Sequence, residues 1–253
     1  MRAALAIADY TLRQHVRQRV YLGLLAFGLL LFGGSLAAAT LAPEQRLRIL
    51  LDLGLAGIEA LSLLATIFLT VGLVLEEMES RTIYLVLTHP VPRTAYVLGR
   101  FGGTLAAVLA GMALMALLHL PLLWLFGWRE PGFYAVAWLC AALKMAVIGV
   151  LALALSLFST SAPAAMLFAA FFWVLGHFTS ELAWLAQRSG SAWVQGVVWV
   201  ARLIAPDLSY FNYRDFAGAL PGPGWFAWLA LYACAYCGIG LYFCSRMVAH
   251  KEF

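Results

Sequence analysis

Apolar runs long enough to cross a membrane recur along the whole sequence, and they limit the possible folds more than any other feature. A hydrocarbon layer about 30 Å thick needs roughly 20 apolar residues in a helix. Because lipid offers no hydrogen-bond partner to the backbone, each run must be helical. We predict an all-α polytopic membrane protein with six transmembrane helices, at residues 20–39, 53–75, 101–126, 133–158, 164–178 and 225–243.

The composition agrees with this class. Hydrophobic residues make up 64% of the chain and charged residues 11%, whereas soluble domains carry about 25% charged residues. The predicted helices occupy most of residues 1–253, so we expect one transmembrane domain and no separate soluble domain. The net charge of +4 comes from basic residues near the ends of the apolar runs, which does not indicate a nucleic-acid partner.

The distribution of basic residues predicts the orientation. Residues 1–19 have the pattern of an interfacial amphipathic helix and carry four arginines before the first predicted span, at Arg2, Arg13, Arg17 and Arg19. Cytoplasmic segments are enriched in Lys and Arg. We therefore expect both termini in the cytoplasm, with nine Lys or Arg on the inner side and six on the outer side.

The densest polar segment, residues 76–100, lies between the second and third predicted spans. It begins with three carboxylates, and Glu77 and Arg81 are four residues apart, so they can pair on a helix. Pro90 then interrupts the helix, and a second helix is expected to begin near Arg93. We predict a short amphipathic helix and a rigid turn on the cytoplasmic side, with these candidate functional residues: Glu76, Glu77, Glu79, Arg81, Thr82, Pro90 and Arg93.

A second unusual segment, residues 179–224, precedes the last predicted span. It combines tryptophans with scattered charges, and no charge-free stretch in it reaches the length of a span. We expect one or two short helices, half-buried in the outer leaflet, that form a re-entrant segment.

Two charged residues, Glu59 and Lys144, fall clearly inside predicted spans. A charge near the bilayer centre costs at least about 2.5 kcal/mol. Counting about 1.5 Å per residue from the span ends places Glu59 in the outer third and Lys144 near the middle. We predict that they form an ion pair or share a polar cavity, and both a structural role and a place on a transport path remain open.

Two histidines, His119 and His177, also fall in the outer half of the bundle. No two of the candidate ligands have metal-binding spacing on one helix, so polar packing is favoured over a metal site. We predict no metal site and no catalytic residue.

Residues 76–100 resemble the cytoplasmic segment of type 2 ATP-binding-cassette (ABC) permeases in this pattern: Glu76-Glu77-x-Glu79-x-Arg81-Thr82, an apolar run, Pro90-x-x-Arg93 and Gly99-Arg100. The order of predicted helices is similar over the whole chain. Residues 203–215 (LIAPDLSYFNYRD) add a likeness to permeases associated with multicopper-enzyme maturation.

The resemblance implies that residues 1–253 form one permease domain of an exporter in a prokaryotic inner (plasma) membrane. Glu76, Glu77, Glu79 and Arg81 would present charge to a separate ABC ATPase, while residues 90–93 would fix the angle of the turn. The chain has no GxxxxGK[ST] loop, so ATP and Mg²⁺ would bind to two ATPase copies and no cofactor to this chain. We also expect a second permease copy in a homodimer, membrane lipid, and a place for a periplasmic accessory protein.

Two alternatives remain open at this point. An intramembrane lipid-modifying enzyme would need a nucleophile with a base or a metal motif, and neither HExxH nor GxSxG occurs. The other alternative is a membrane anchor that only recruits a soluble partner.

Overall fold

The computed structural model describes residues 2–41, 43–80, 92–216 and 221–250, and these residues form helices and no strands. Nine α-helices follow one another in this part of the chain: α1 (Arg2–Val16), α2 (Arg19–Leu41), α3 (Arg46–Glu79), α4 (Arg93–Leu125), α5 (Pro131–Phe158), α6 (Ala162–His177), α7 (Thr179–Ser189), α8 (Ala192–Ile204) and α9 (Pro223–His250). Short 3₁₀ helices lie at Pro43–Gln45, Ser209–Phe211 and Tyr213–Phe216.

Five of the described helices are long and apolar enough to cross a membrane: α2, α3, α4, α5 and α9. α6 has only 16 residues, or about 24 Å, which is short for a span. It is followed by α7 at a bend of 65°, and the two helices together make a sixth candidate span or a re-entrant element.

α3 and α5 form the centre of the bundle, and α2 and α9 lie at its periphery. α3 packs against α2, α4, α5 and α6, while α5 also packs against α9. Large apolar side chains of the peripheral helices remain exposed, among them Leu30 on α2 and Leu231 on α9. Such a surface fits contact with lipid or with a further membrane protein.

α3 differs from its predicted bounds at both ends. It begins at Arg46 rather than near residue 53 and continues to Glu79, so the carboxylates of the polar segment belong to the spanning helix itself. Residues 76–79 therefore continue α3 instead of beginning a new helix, and the rest of the predicted amphipathic helix lies outside the described residues. The physical reason is that no Gly or Pro follows Gly72 before Glu79, and Glu and Met favour helix propagation.

α1 packs closely along α4 because two glycines of α4 have no side chain at the contact. A Cβ atom at Gly99 would meet Ile7 and the carbonyl oxygen of Ala4, and one at Gly103 would meet Thr11 and the carbonyl oxygen of Ala8. A small residue at every fourth position allows two helix backbones to approach each other. This contact fixes α1 on the end of the bundle where α4 begins.

The chain after α8 turns back into the bundle. The Leu208 amide donates a hydrogen bond to the carbonyl oxygen of Gly176 over 2.9 Å, and the Asp207 amide donates to the Tyr232 hydroxyl over 2.7 Å. Leu208 and Phe211 are fully buried. These contacts hold residues 205–216 against α6 and α9.

Candidate functional site

We call the end of the bundle at which α3 ends and α4 begins the polar end. There, Arg100 on α4 connects three helices. Its guanidinium forms an ion pair with Glu77 of α3. It also donates hydrogen bonds to α1, to Thr11 Oγ1 over 2.9 Å and to Gln14 Oε1 over 3.4 Å. Arg100 is 6% exposed and Glu77 8% exposed, so water contributes little to either charge.

Aromatic rings complete the surroundings of this pair. The Tyr96 hydroxyl donates a hydrogen bond to the second carboxylate oxygen of Glu77. The Arg100 guanidinium carbon lies 5.6 Å from the ring centre of Tyr10 and 5.7 Å from that of Tyr96. Cation–π contact and charge-assisted hydrogen bonds compensate part of the desolvation of the buried pair.

Arg93 connects the start of α4 to the end of α9. It donates hydrogen bonds to the backbone carbonyl oxygens of Val248, over 2.7 Å, and Ala249, over 2.6 Å. The last carbonyls of a helix have no intrahelical partner and carry partial negative charge, so an arginine stabilises them. Residues 81–91 therefore join two helix ends that are each held by an arginine contact.

His15 adds a second polar contact between α1 and α4. Its Nε2 lies 2.9 Å from Thr104 Oγ1, and its Nδ1 lies 3.3 Å from Gln18 Oε1. Burial lowers the pKa of His15 below its ordinary value, and the Arg100 charge acts in the same direction, while the hydrogen bond with Gln18 opposes the shift. The neutral imidazole therefore fits this site better than the imidazolium.

The candidate functional residues that the sequence predicts in residues 76–93 differ in their exposure and contacts. Glu76 is exposed on the last turns of α3, whereas Glu77 is directed into the bundle and contacts Arg100 rather than presenting its charge outward. Glu79 belongs to the last turn of α3, and α4 begins at Arg93 as predicted. Arg81, Thr82 and Pro90 lie outside the described residues, so the expected pairing of Glu77 with Arg81 remains a prediction.

Glu59 on α3 and Lys144 on α5 form the intramembrane ion pair that the sequence predicts. Lys144 Nζ donates a hydrogen bond to Glu59 Oε1 over 2.7 Å, and the lysine is 4% exposed. Glu59 and Glu77 are 18 residues apart on α3, so this pair lies about 27 Å from the polar end along the helix. Whether the pair takes part in transport remains a prediction.

His177 at the end of α6 extends this pair. Its Nδ1 donates a hydrogen bond to the carbonyl oxygen of Trp173 over 2.9 Å, because a carbonyl can only accept. Its Nε2 is then the acceptor for Lys144 Nζ, at 3.3 Å. His177 Nε2 lies 4.0 Å from Glu59 Oε1, too far for a hydrogen bond.

An open cavity of about 360 Å³ surrounds these three side chains; we call it the Glu59 cavity. Its wall consists of residues from α3, α5, α6 and the segment after α8: Ala56, Glu59, Ala60, Lys144, Trp173, His177, Asn212, Tyr213 and Arg214. No sequence pattern marks Trp173, and Tyr213 and Arg214 are marked only as members of residues 203–215, with no position assigned to their side chains. Only the return of residues 205–216 into the bundle brings the last two to the cavity.

His119 lies outside this cavity and has a packing role, the alternative that the sequence favours. Its Nε2 donates to the carbonyl oxygen of Leu50 over 3.2 Å, and its Nδ1 accepts from the Tyr134 hydroxyl over 3.1 Å. The ring stacks on Phe32, with 5.2 Å between centres. A Cβ atom at position 54 would overlap the imidazole, so Gly54 leaves the space that His119 fills.

Metal binding has no support in the described part of the chain, where no three His, Cys, Asp or Glu side chains lie close enough to hold an ion. At the Glu59 cavity the lysine ammonium already occupies a carboxylate oxygen. A metal cation at this carboxylate would be repelled by the ammonium charge of Lys144.

Comparison with known proteins identifies the family. The chain matches the family model described as "ABC-2 family transporter protein" over residues 5–222 of 253, which includes the polar end and the Glu59 cavity. No curated protein matches the sequence. The apolar helices and this match together establish an integral membrane protein of a transporter family. The chain belongs to the ABC-2 transporter family, as a transmembrane permease subunit of an ABC transporter.

Proposed function

We propose that this permease is the membrane half of an ATP-driven exporter, and that the polar end transmits the motion of an ATPase to the bundle. Membership of the family implies an ABC ATPase as partner. ATP and Mg²⁺ would bind to that partner and not to this chain. Export rather than import follows the resemblance to type 2 ABC permeases in residues 76–100.

The observation that carries the proposal is the contact of Arg100 with both α1 and α3. Glu77, Thr11 and Gln14 bind the same guanidinium, so a force on α1 or on the end of α3 reaches α4 without a flexible joint. Arg93 extends the connection to α9. Four helices (α1, α3, α4 and α9) are thus connected at the polar end, and a rigid connection of this kind suits transmission of a rigid-body movement.

Glu76 is the described carboxylate best suited to contact the ATPase. It is exposed at the end of α3, one residue before the buried Glu77, and its side chain can reach a partner without breaking the internal ion pair. Thr82 and Pro90 belong to the same proposed contact, as do Glu79 and Arg81.

The proposed assembly contains two permeases and two ATPases in the inner membrane, with both termini cytoplasmic. A homodimer is supported by the exposed apolar surfaces of α2 and α9, since a small bundle encloses little of a transport path and two-fold pairing is the commonest assembly. α7 and α8 would then face outward, where a periplasmic accessory protein could bind to them.

Charge reversal at Glu76 tests the coupling contact. The full-length chain is expressed in its native host, and the ABC ATPase that co-purifies is quantified for the wild type, Glu76→Arg and Glu130→Arg. Glu130 is an exposed carboxylate in the turn before α5, at the opposite end of the bundle, and serves as the matched control. We expect Glu76→Arg to lose most of the ATPase and Glu130→Arg to retain it. Equal recovery with both variants would contradict the proposal.

A further inference from the structure

The walls of the Glu59 cavity carry more positive charge than negative charge. Lys144 lies at the base, 4% exposed, and its ion pair balances Glu59, which is the one carboxylate among the described residues of the wall. Arg214 is exposed at the rim. Among the described side chains no carboxylate lies within 4.0 Å of Arg214, and Asp52 and Glu59 act on its charge only at longer range. Arg214 therefore has no direct ion-pair partner among the described residues of this open cavity.

Hydrogen-bond donors are also in excess in this wall. The Trp173 indole nitrogen is buried and has no hydrogen-bond partner among the described residues. The buried Tyr213 hydroxyl lies beside the Arg214 guanidinium, which can only donate, so the hydroxyl proton of Tyr213 has no acceptor among the described side chains. Tyr213 as a whole is only 4% exposed. A buried donor without a partner costs about 1–3 kcal/mol, and native proteins retain few such groups without a reason.

These two observations favour an anion with several acceptor oxygens. Carboxylate and phosphate groups both accept charge-assisted hydrogen bonds, but phosphate offers more acceptor oxygens and is the group that arginine and lysine commonly bind together. A metal cation or an organic cation would meet Lys144 and Arg214. The cavity volume of about 360 Å³ lies within the range of roughly 300–1,000 Å³ that is usual for small-ligand sites.

We propose that the Glu59 cavity binds a phosphate group, with Arg214 as its main charged contact and Lys144 as the charge at its base. The phosphate belongs either to a lipid headgroup that enters from the membrane or to a soluble phosphate ester. The proposal deepens the transport function above by naming the chemistry of one cavity. Binding itself requires neither ATP nor the ATPase.

The first test measures binding to the purified full-length permease in dodecyl maltoside, a detergent without phosphate. Inorganic phosphate and glycerol 3-phosphate are titrated by calorimetry, and phosphatidylglycerol is titrated by native mass spectrometry. A galactosyl diacylglycerol, which has the same acyl chains and no phosphate, is the matched lipid control. If only phosphatidylglycerol binds, the phosphate belongs to a lipid headgroup. If the soluble probes bind as well, it belongs to a soluble phosphate ester. Either result supports the proposal.

Three variants then assign the binding to this cavity. Arg214→Gln should weaken phosphate binding about tenfold, as expected for loss of a charge-assisted hydrogen bond. Arg129→Gln, at an exposed arginine in the turn before α5, should leave it unchanged. Tyr213→Phe removes one hydroxyl and keeps the ring, so it should weaken phosphate binding a few-fold while the protein remains folded.

Three results would overturn the proposal. These are no binding of any phosphate probe to the wild type, equal weakening by Arg129→Gln and Arg214→Gln, or galactolipid binding as tight as phosphatidylglycerol binding. None of these three results bears on the proposed ATPase contact at Glu76. Conversely, a Glu76→Arg variant that loses the ATPase should still bind the phosphate probe, so failure of one proposal is distinguishable from failure of the other.

Discussion

Arg100 of α4 forms an ion pair with Glu77 of α3 although the two residues are 23 positions apart in the sequence, and both side chains are almost fully buried. The pair sets where α3 ends relative to where α4 begins. Because Thr11 on α1 accepts a hydrogen bond from the same guanidinium, the pair also sets the position of the N-terminal helix. The stability of the protein, and the proposed transmission of ATPase motion to the bundle, should therefore depend on the same three side chains: Arg100, Glu77 and Thr11.

Removal of Arg100 alone should be strongly destabilising. Arg100→Met leaves the Glu77 carboxylate buried without its counter-charge, which costs about 3–5 kcal/mol in comparable buried pairs. The double variant Arg100→Met/Glu77→Leu should recover most of this loss, since no isolated charge remains. The measurement is chemical unfolding in detergent, with Arg17→Met, at an exposed arginine, as control. A double variant less stable than Arg100→Met would contradict the account.

Glu59 and Lys144 should show strong coupling in a double-mutant cycle. Glu59→Ala and Lys144→Ala each leave one buried charge, so each should destabilise the protein more than the double substitution does. The interaction free energy should lie in the range of about 0.5–3 kcal/mol that is found for residues in contact. Thermal unfolding of the four proteins gives this value, and additive effects would show that the 2.7 Å contact contributes little.

Two neighbouring glycines of α4 allow a matched test of the contact with α1. Gly103→Ala places a Cβ atom against Thr11 and the carbonyl oxygen of Ala8, whereas a Cβ atom at Gly102 has its nearest neighbour, the Ala8 Cβ, at 3.9 Å. Both changes gain the same helix propensity, roughly 1 kcal/mol. We expect Gly103→Ala to destabilise and Gly102→Ala to stabilise the protein.

Hydrogen exchange of the α1 amides reports whether Gly103→Ala acts at this contact. Protection in α1 should fall for Gly103→Ala and be retained for Gly102→Ala, while protection in α5 should be retained for both. Unchanged α1 protection in Gly103→Ala would mean that the two helices separate easily or never approach closely.

The contact between α1 and α4 should weaken in acid because of His15. Burial lowers the pKa of His15 in the folded protein below the unfolded value of 6.5, so the unfolded state binds more protons between those two values. The stabilisation is fully present above pH 6.5 and is lost as the pH falls from 6.5 through the folded pKa. Hydrogen exchange of α1 at pH 7.5 and pH 5.5 should show this loss.

His15→Gln is the control for the pH effect. Glutamine keeps a polar group near Thr104 but does not titrate, so the difference in α1 protection between the two pH values should shrink markedly. An unchanged difference would assign the pH dependence to another group.

Several elements of the fold and site follow from local sequence rules. α4 begins at Arg93 because Pro92 has no backbone N–H to donate within a helix, and it occupies the extended position just before the first helical residue. The Glu59–Lys144 pair follows from counting residues along two helices and from the cost of an isolated charge in lipid. Such rules use only spacing along one helix or depth in a membrane.

The remaining contacts could not be predicted because they depend on how distant segments pack. The sequence offers Glu77 a nearby partner at Arg81, and nothing local indicates that it also pairs with Arg100. Tyr213 and Arg214 reach the Glu59 cavity only because the Leu208 amide binds the carbonyl oxygen of Gly176. α3 is longer than the apolar run at residues 53–75 predicts, because charged residues end an apolar run without ending a helix.

The central claim is that an ABC ATPase contacts the polar end of this permease. The most direct test is photo-crosslinking in native membranes, with p-benzoylphenylalanine in place of Glu76 or, as control, in place of Trp193, which is exposed on α8. The account predicts a cross-link from position 76 to the ATPase and none from position 193. An ATPase cross-link from position 193, or only lipid cross-links from position 76, would contradict it.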